Sequence, residues 1–409
     1  MRLIYNLFIF LYPLVARCLS VKNKKAKQWI DGRKNILEEI SNQVSHNENI
    51  IWFHCASLGE FEQGRPLIEF FKQNQPSCQI LLTFFSPSGY EIQKNYQNAD
   101  YVFYMPNDTV SNAKKFLDIV QPKYIFFIKY EFWYNYINQA YKRKIPFYSV
   151  SCIFSKKQFY FKWYGRWFLK QLHSVTHFFT QDECSKNLLN QYGISQASVC
   201  GDTRFDRVYQ IVNQAKTIDF FSPFRLKNNI IVAGSTWTED EKLLSQLLEN
   251  QNFTLIIAPH EVHREHIEEI EKRFAVYSPV RYTELSSETD IENAQVIVID
   301  VIGILSSLYG YATIAYIGGG FGKGIHNILE AATYGKPIIF GINYKKFKEA
   351  NDLIRLSAAF SVSNYEELQH IISKLYSDEQ TMKTAGNTAK QYVLENIGAC
   401  GKIYEMIVG

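Results

Sequence analysis

The chain has 409 residues, a net charge of +4, and an aromatic-rich composition with 27 Tyr and 30 Phe. Its length leaves room for two domains, each with its own core. A charge this close to balance gives no argument for nucleic acid as a partner, although basic residues can act where they cluster. The seven cysteines (Cys18, Cys55, Cys78, Cys152, Cys184, Cys200 and Cys400) are scattered and lack any C-x-x-C spacing, which argues against a disulfide scaffold or a zinc module.

The first element is LIYNLFIFLYPLVARCLS, Leu3 to Ser20, nearly all apolar or aromatic. Arg17, Lys22, Lys24, Lys25, Lys27, Arg33 and Lys34 end or follow it, against Asp31 alone. The run is at the short limit for a membrane-spanning helix, and Pro13 kinks it. A cleaved signal peptide needs a basic start and a small-residue cleavage site, and here Arg2 alone precedes the run. The basic flank instead predicts a membrane anchor with the rest of the chain on the cytoplasmic side, drawn to an anionic inner-membrane surface. A buried first helix with a solvated lysine tail is the competing account.

Beyond residue 20, short apolar runs alternate with helix-length amphipathic stretches, the pattern of parallel sheets covered by helices. Strands are predicted at Ile50–Cys55, Gln79–Phe84, Tyr101–Tyr104, Tyr124–Ile128, Phe147–Val150 and His177–Thr180, with a further one beginning at Val199–Cys200. Helices fill the intervals, for example Glu62–Gln73 and Ser111–Ile119. Thr217–Asn229, with Pro223, reads as a boundary. The rhythm then repeats at Ile230–Ala233, Thr254–Ile257, Val296–Ile299, Ile314–Ile317 and Pro337–Phe340, and a helical stretch, Asp378–Val408, closes the chain. The predicted fold class is α/β: two Rossmann-like domains facing a cleft, after an N-terminal membrane-associated helix. The expected divisions are an anchor at 1–20, a first domain at 21–216, a linker at 217–228, a second domain at 229–380, and helices at 381–409 that cross back to the first domain. In such sheets ligands bind beyond the carboxyl ends of strands, which singles out the loops after Cys55, Ile128, Ala233, Ile257, Ile299 and Ile317.

In the loop after Cys55, within HCASLGEFEQGRPLIEFF, the carboxylate of Glu60 stands between a Ser-Leu-Gly turn and a helix. It is a helix-start residue or a base aimed at a ligand. KYEFWYN, Lys129 to Asn135, sets Glu131 beside Trp133 at the end of another strand, where it is a sugar-site acid or a surface cap. In GDTRFDRV, Gly201 to Val208, Arg204 either meets an anion or pairs with Asp202 or Asp206.

The strongest local signal is IGGGFGKGIHNILEAATYGKPIIFG, Ile317 to Gly341. Gly318, Gly319 and Gly320 lead toward a helix expected to open near His326 and Asn327, and bare amides at a helix start make a phosphate loop. A G-x-G-x-x-G match fails at Lys323, and a Walker A match fails because Gly324 follows Lys323. Glu330, one turn beyond His326, suits a ribose diol; a tight turn with a solvated glutamate is the plainer alternative. In HEVHREH, His260, His263 and His266 are three apart, a spacing that drifts around a helix and disfavours one metal site.

Taken together these motifs resemble those of the Kdo transferases, inner-membrane enzymes that add 3-deoxy-D-manno-octulosonic acid (Kdo) to lipid A precursor. The resemblance spans almost the whole chain. It is carried by the HxxSxGE-like segment His54–Glu60, by AGSTW at Ala233–Trp237, and by GGG…GxHNxLE…GKP at Gly318–Pro337. It implies a B-type glycosyltransferase fold and an inverting transfer of Kdo from CMP-Kdo to a lipid A precursor (lipid IVA) in lipopolysaccharide biosynthesis, without metal or other cofactor. By the same resemblance Glu60 is the general base, and Glu131 and Arg204 assist the transition state. The CMP moiety falls to Pro259 and His260, to Ile302, Gly303 and Ile304, and to Asn327, Ile328, Leu329 and Glu330.

Three positions depart from the family pattern: His260-Glu261 replaces Arg-His, Gly303-Ile304 replaces Gly-Glu, and Lys129 replaces an acidic residue. They put the CMP contacts and acceptor phosphate recognition in question. The alternatives are a uridine-nucleotide transferase or epimerase of the same fold, or a non-catalytic membrane protein that binds a sugar nucleotide.

Overall fold

A computed structural model describes residues 1–45, 49–129, 131–215, 217–221, 229–249, 253–286 and 294–409. Most of the expected linker, including Pro223, and Tyr130 lie outside these residues. The described chain divides into two compact units, one of Met1–Arg207 with Ile397–Gly409, the other of Val208–Asn396.

Aromatic and β-branched runs build the first unit's strands: β1 (Ile50–Cys55), β2 (Gln79–Phe84), β3 (Tyr101–Tyr104), β4 (Tyr124–Ile128), β5 (Phe147–Cys152), β6 (His177–Thr180) and β7 (Ala197–Val199). They form one parallel sheet in the order β3-β2-β1-β4-β5-β6-β7. Every residue of β1 is buried, as expected for a strand covered on both faces. Alternate side chains feed opposite layers: Trp52 packs on Phe116 (ring centroids 4.6 Å apart), and Phe53 stacks on Phe126 (4.7 Å).

The second unit repeats the plan with β8 (Ile230–Thr236), β9 (Thr254–Pro259), β10 (Val280–Arg281), β11 (Val296–Val298), β12 (Ile314–Ile317), β13 (Ile338–Gly341) and β14 (Ala359–Val362). This sheet is also parallel, in the order β10-β11-β9-β8-β12-β13-β14. β10 and β14 are additional to the sequence reading, and β7 ends at Val199 rather than beginning there. Each sheet therefore crosses once to the other side of its first strand, between β1 and β4 and between β8 and β12. Crossovers leave those pairs toward opposite sides and open a crevice at the strand ends.

The helix Arg2–Ser20 is long and apolar enough to cross a membrane, by length and composition. It is nonetheless tied to the first unit along one face. Tyr5 donates to the Asp108 carboxylate (2.5 Å), and Asn135 donates from Nδ2 to Asn6 (3.0 Å). Asp108 also accepts from the amides of Asn135 and Tyr136, both at 3.0 Å. Burial pushes the Asp108 carboxyl up to about 7 against these bonds. Ile9 is this helix's buried residue, whereas Leu3 (83% exposed) and Phe10 (65%) point outward.

The helix Ala399–Val408 packs in the first unit. Asp206 accepts from the amides of Gly398 (2.5 Å) and Cys400 (2.9 Å), and Tyr404 meets Phe70 and Phe71 at 5.4 and 5.1 Å. Two bonds to one carboxylate make Asp206→Ala cost about 2–4 kcal/mol. Hydrogen exchange should then speed up first across residues 399–408; unchanged protection there would refute this account of the docking.

Candidate active site

The loops leaving β1 and β4 carry the two predicted acids. Ser57 is the N-cap of the helix Leu58–Asn74, and Glu60 lies in its first turn. Ser-x-x-Glu at such a start is the sequence of a capping box, in which both side chains bind backbone amides. Here Ser57 makes no capping bond; its hydroxyl donates to Oε2 of Glu60. Two groups suited to closing the helix end are instead turned to each other. Glu60 is thus at a helix start and yet not serving as a cap.

Glu131 follows β4 through Lys129, whose φ of 64° is a left-handed conformation rare for a residue with a side chain. Lys129 is held there by its amide bond to Val150 O (2.7 Å) and by the Ser149 hydroxyl donating to its carbonyl (2.9 Å). Glu131 itself lies in a largely buried position. Burial first, and then the charge of Glu60, push its carboxyl up to about 7. The structure thus brings Glu60 and Glu131 close enough to interact electrically, with one of them holding a proton near neutral pH. His54, the first residue of the motif, belongs to the core: it is fully buried beside Thr83 (2.9 Å), and burial lowers its pKa to about 3.

Arg204 pairs with Asp202, donating from Nε to Oδ2 (2.8 Å), while Asp206 goes to the C-terminal helix. Asp202 also accepts from Gln63 (3.0 Å), and Thr203 donates to the Gln63 carbonyl (2.5 Å). These bonds fasten Arg204's partner to the helix that carries Glu60. The pairing of Arg204 with Asp202 is one of the two partners the sequence offered; the roles of Ser57 and Gln63 were not read from it, although Ser-x-x-Glu was a usable signal.

In the second unit the loops after β8 and β12 meet. A Cβ at Gly318 would lie 2.2 Å from Ser235 O, and one at Gly320 would lie 2.4 Å from Gly341 N, so close backbone approach demands both glycines. The amide of Gly318 donates to Gly234 O, and that of Gly319 donates to the Asp240 carboxylate, both at 2.9 Å. These two amides, expected to cradle a phosphate, are engaged inside the protein. Asp240 also accepts from the Trp237 amide (2.9 Å) and the Tyr316 hydroxyl (2.8 Å), bracing the loop from below.

Above the loop stands a stack that the sequence did not reveal. Trp237 donates from Nε1 to Nε2 of His326 (3.1 Å), and His260 lies over His326 with ring centroids 4.3 Å apart. Accepting at Nε2 makes His326 a neutral ring protonated at Nδ1. Burial, then His260, lower its pKa to about 4, in agreement. These rings, with Asp240, Gly319, Phe321 and Lys323, line a cavity of about 580 Å³, the size of a small-ligand site.

The helix expected near His326 opens later, at Leu329, with Ile328 as its N-cap, and His326 is held by Trp237. Asn327 accepts from the Leu329 amide (3.1 Å) and donates to Glu330 (3.0 Å), so Glu330 pairs with Asn327 rather than following His326 on a helical face. Pro259 ends β9, Ile328 is buried, and Ile302, 85% exposed, stands with Gly303 and Ile304 in the loop after β11. The other two histidines of HEVHREH have different neighbours: His266 meets Glu241 (3.2 Å), and His263 precedes the helix Arg264–Arg273.

Residues 30–207 match the family model described as 3-deoxy-D-manno-octulosonic-acid transferase (kdotransferase). The 3-deoxy-D-manno-octulosonic acid transferase of Rickettsia typhi is 27% identical over 87% of this chain and 78% of its own length. That of Haemophilus influenzae is 25% identical over 98% of this chain and 96% of its own. These matches run over most of the chain and support a Kdo transferase. The chain's two parallel sheets are those of the B-type glycosyltransferases, and it is a glycosyltransferase. The fold is shared with the UDP-GlcNAc 2-epimerase of Neisseria meningitidis at a TM-score of 0.63 and 15% identity, over 88% of this chain and 99% of that one.

The raised Glu131 carboxyl sets a sign. Between its ordinary value of 4.5 and about 7 the folded protein binds more protons than the unfolded chain, so stability falls as pH rises through that window. Glu131→Gln should therefore raise the melting temperature at pH 8 by several degrees, and the gain should vanish below pH ~4.5. A gain that is the same at both pH values would contradict the shift.

Proposed function

We propose that this chain is an inverting transferase of lipopolysaccharide biosynthesis that moves Kdo from CMP-Kdo to a hydroxyl of a lipid A precursor (lipid IVA), with Glu60 as general base. The observation that carries the reading is the Ser57–Glu60–Glu131 arrangement at the ends of β1 and β4. The Ser57 hydroxyl occupies Oε2 of Glu60 and orients the carboxylate, leaving Oε1 to take the acceptor proton. As the acceptor oxygen attacks the anomeric carbon, its proton passes to Glu60, and the bond to CMP breaks with the electron pair leaving on the phosphate. Glu131, protonated up to about pH 7, donates a hydrogen bond within the same site, and Arg204 is the cationic partner. CMP belongs in the cavity of the second unit, where Trp237 and the paired histidines offer flat surfaces for a base. Pro259, His260, the 302–304 loop and Asn327–Glu330 belong to the same subsite. No step calls for a metal.

Incubation with CMP-Kdo and the lipid precursor should yield a lipid heavier by one or more Kdo residues. Glu60→Gln should lower the rate by about 10²–10⁴-fold while CMP still binds. A near-normal rate in that variant would make another group the base, and tighter binding of UDP than of CMP would overturn the donor.

The outward face of the helix Arg2–Ser20 and the lysines after it support association with an anionic membrane surface on the cytoplasmic side. Deleting the helix would strip Asp108 of Tyr5, so the cleaner variant is Leu7→Asp with Leu14→Asp, both exposed. It should float less with anionic vesicles while keeping its melting temperature; undiminished flotation would refute the assignment.

A further inference from the structure

The helices Arg2–Ser20 and Lys24–Asp31 and the loop after β2 enclose a second cavity, of about 280 Å³. Val15, Ala16, Leu19, Ala26, Trp29 and Phe85 supply its apolar walls, and Lys25 stands among its lining groups. Its volume falls below the roughly 300–1,000 Å³ of sites that enclose a drug-sized molecule, so it admits a slender apolar group rather than a whole lipid.

Its surroundings select the occupant. Val15 (58% exposed) and Leu19 (58%) belong both to the cavity and to the outward face of the first helix, so apolar surface continues from outside into it. Lys25 lines the cavity, and Lys22, Lys24 and Lys27 lie within three residues of it in sequence, positive charge suited to an anionic headgroup. The inner wall leads toward the acids: Trp29 packs on Phe85 (5.7 Å), and Phe85 packs on Trp133 (4.9 Å), two residues from Glu131. Arg33 locks that wall, donating to Phe85 O (2.7 Å), Trp29 O (3.1 Å) and Met105 O (3.0 Å), with its guanidinium 4.1 Å from the Trp29 ring centroid.

We propose that this cavity holds part of one acyl chain of the acceptor lipid, and so helps to position the acceptor for the Glu60–Glu131 site. The proposal rests on reading the acceptor as a lipid. Hydrophobic burial at about 0.8 kcal/mol per methylene makes a chain segment of a few carbons worth tenfold or more in binding.

The test uses the full chain with the acylated acceptor, the same disaccharide after deacylation, and an acceptor carrying a diazirine at one acyl tip. Ala16→Trp and Ala26→Trp fill the cavity from opposite walls. Each should cut the preference in kcat/KM for acylated over deacylated acceptor on the order of tenfold. The diazirine should label the segment from Tyr12 to Leu19, Ala26 or Phe85, and Ala16→Trp should suppress it. An unchanged preference in both variants, or labelling confined to other regions, would overturn the proposal. Equal labelling by a diazirine phospholipid in the presence of acceptor would also overturn it, because the cavity would then hold bilayer lipid. If the chain transfers no Kdo to either acceptor, the proposed function fails, and the labelling still decides whether the acyl chain enters the cavity.

Discussion

Each sheet sets its early strands on one side of its first strand and its later strands on the other, and that change of side decides where chemistry can happen. Loops that follow neighbouring strands to opposite sides cannot pack on each other, so a crevice is left at the carboxyl ends of β1 and β4, and another at β8 and β12. Glu60 and Glu131 leave the first pair; Trp237 and the triple glycine leave the second. Nothing local forces these residues together. Parallel pairing of β1 with β4 and of β8 with β12 does.

The backbone is strained where these loops depart. Lys129 after β4 and Ser235 near the end of β8 both adopt positive φ, and the pairing of β8 with β9 shifts register between Gly234 and Thr236. Strain of this kind costs of order 1–3 kcal/mol per residue and persists only when surrounding bonds hold it. At Lys129 those bonds come from Val150 and Ser149; at the glycine loop, buried Asp240 gathers Gly319, Trp237 and Tyr316. The rigid support lies beneath each site, and the chemistry-bearing side chains stand on top of it. The unused capping box at Ser57 and Glu60 follows the same logic, since helix-end stability is set aside to orient a carboxylate.

Much of this was legible in the chain. Apolar runs such as IIWFHC and QILLTF match β1 and β2 residue for residue, because buried parallel strands leave continuous hydrophobic signatures. β14 escaped because AFSV is short and half polar in its exposure, and β10 because it has two residues. The acids were identifiable singly from their places after strands and from family resemblance. Their mutual influence was not, since it depends on the pairing of strands about seventy residues apart. The glycine run was read as open amides, yet close backbone packing and Asp240 account for Gly318–Gly320; that role is written in three-dimensional neighbours. The histidine stack was hidden for the same reason, His260 and His326 lying on different strands' loops.

The central claim is that Glu60 and Glu131 act as one unit where the first sheet changes side. A double-mutant cycle on kcat/KM for Kdo transfer, using Glu60→Gln, Glu131→Gln and the pair together, tests it most directly. The account predicts strong non-additivity, with the double variant scarcely slower than Glu60→Gln alone. Losses that simply add would mean that the two carboxylates work independently, and would contradict it.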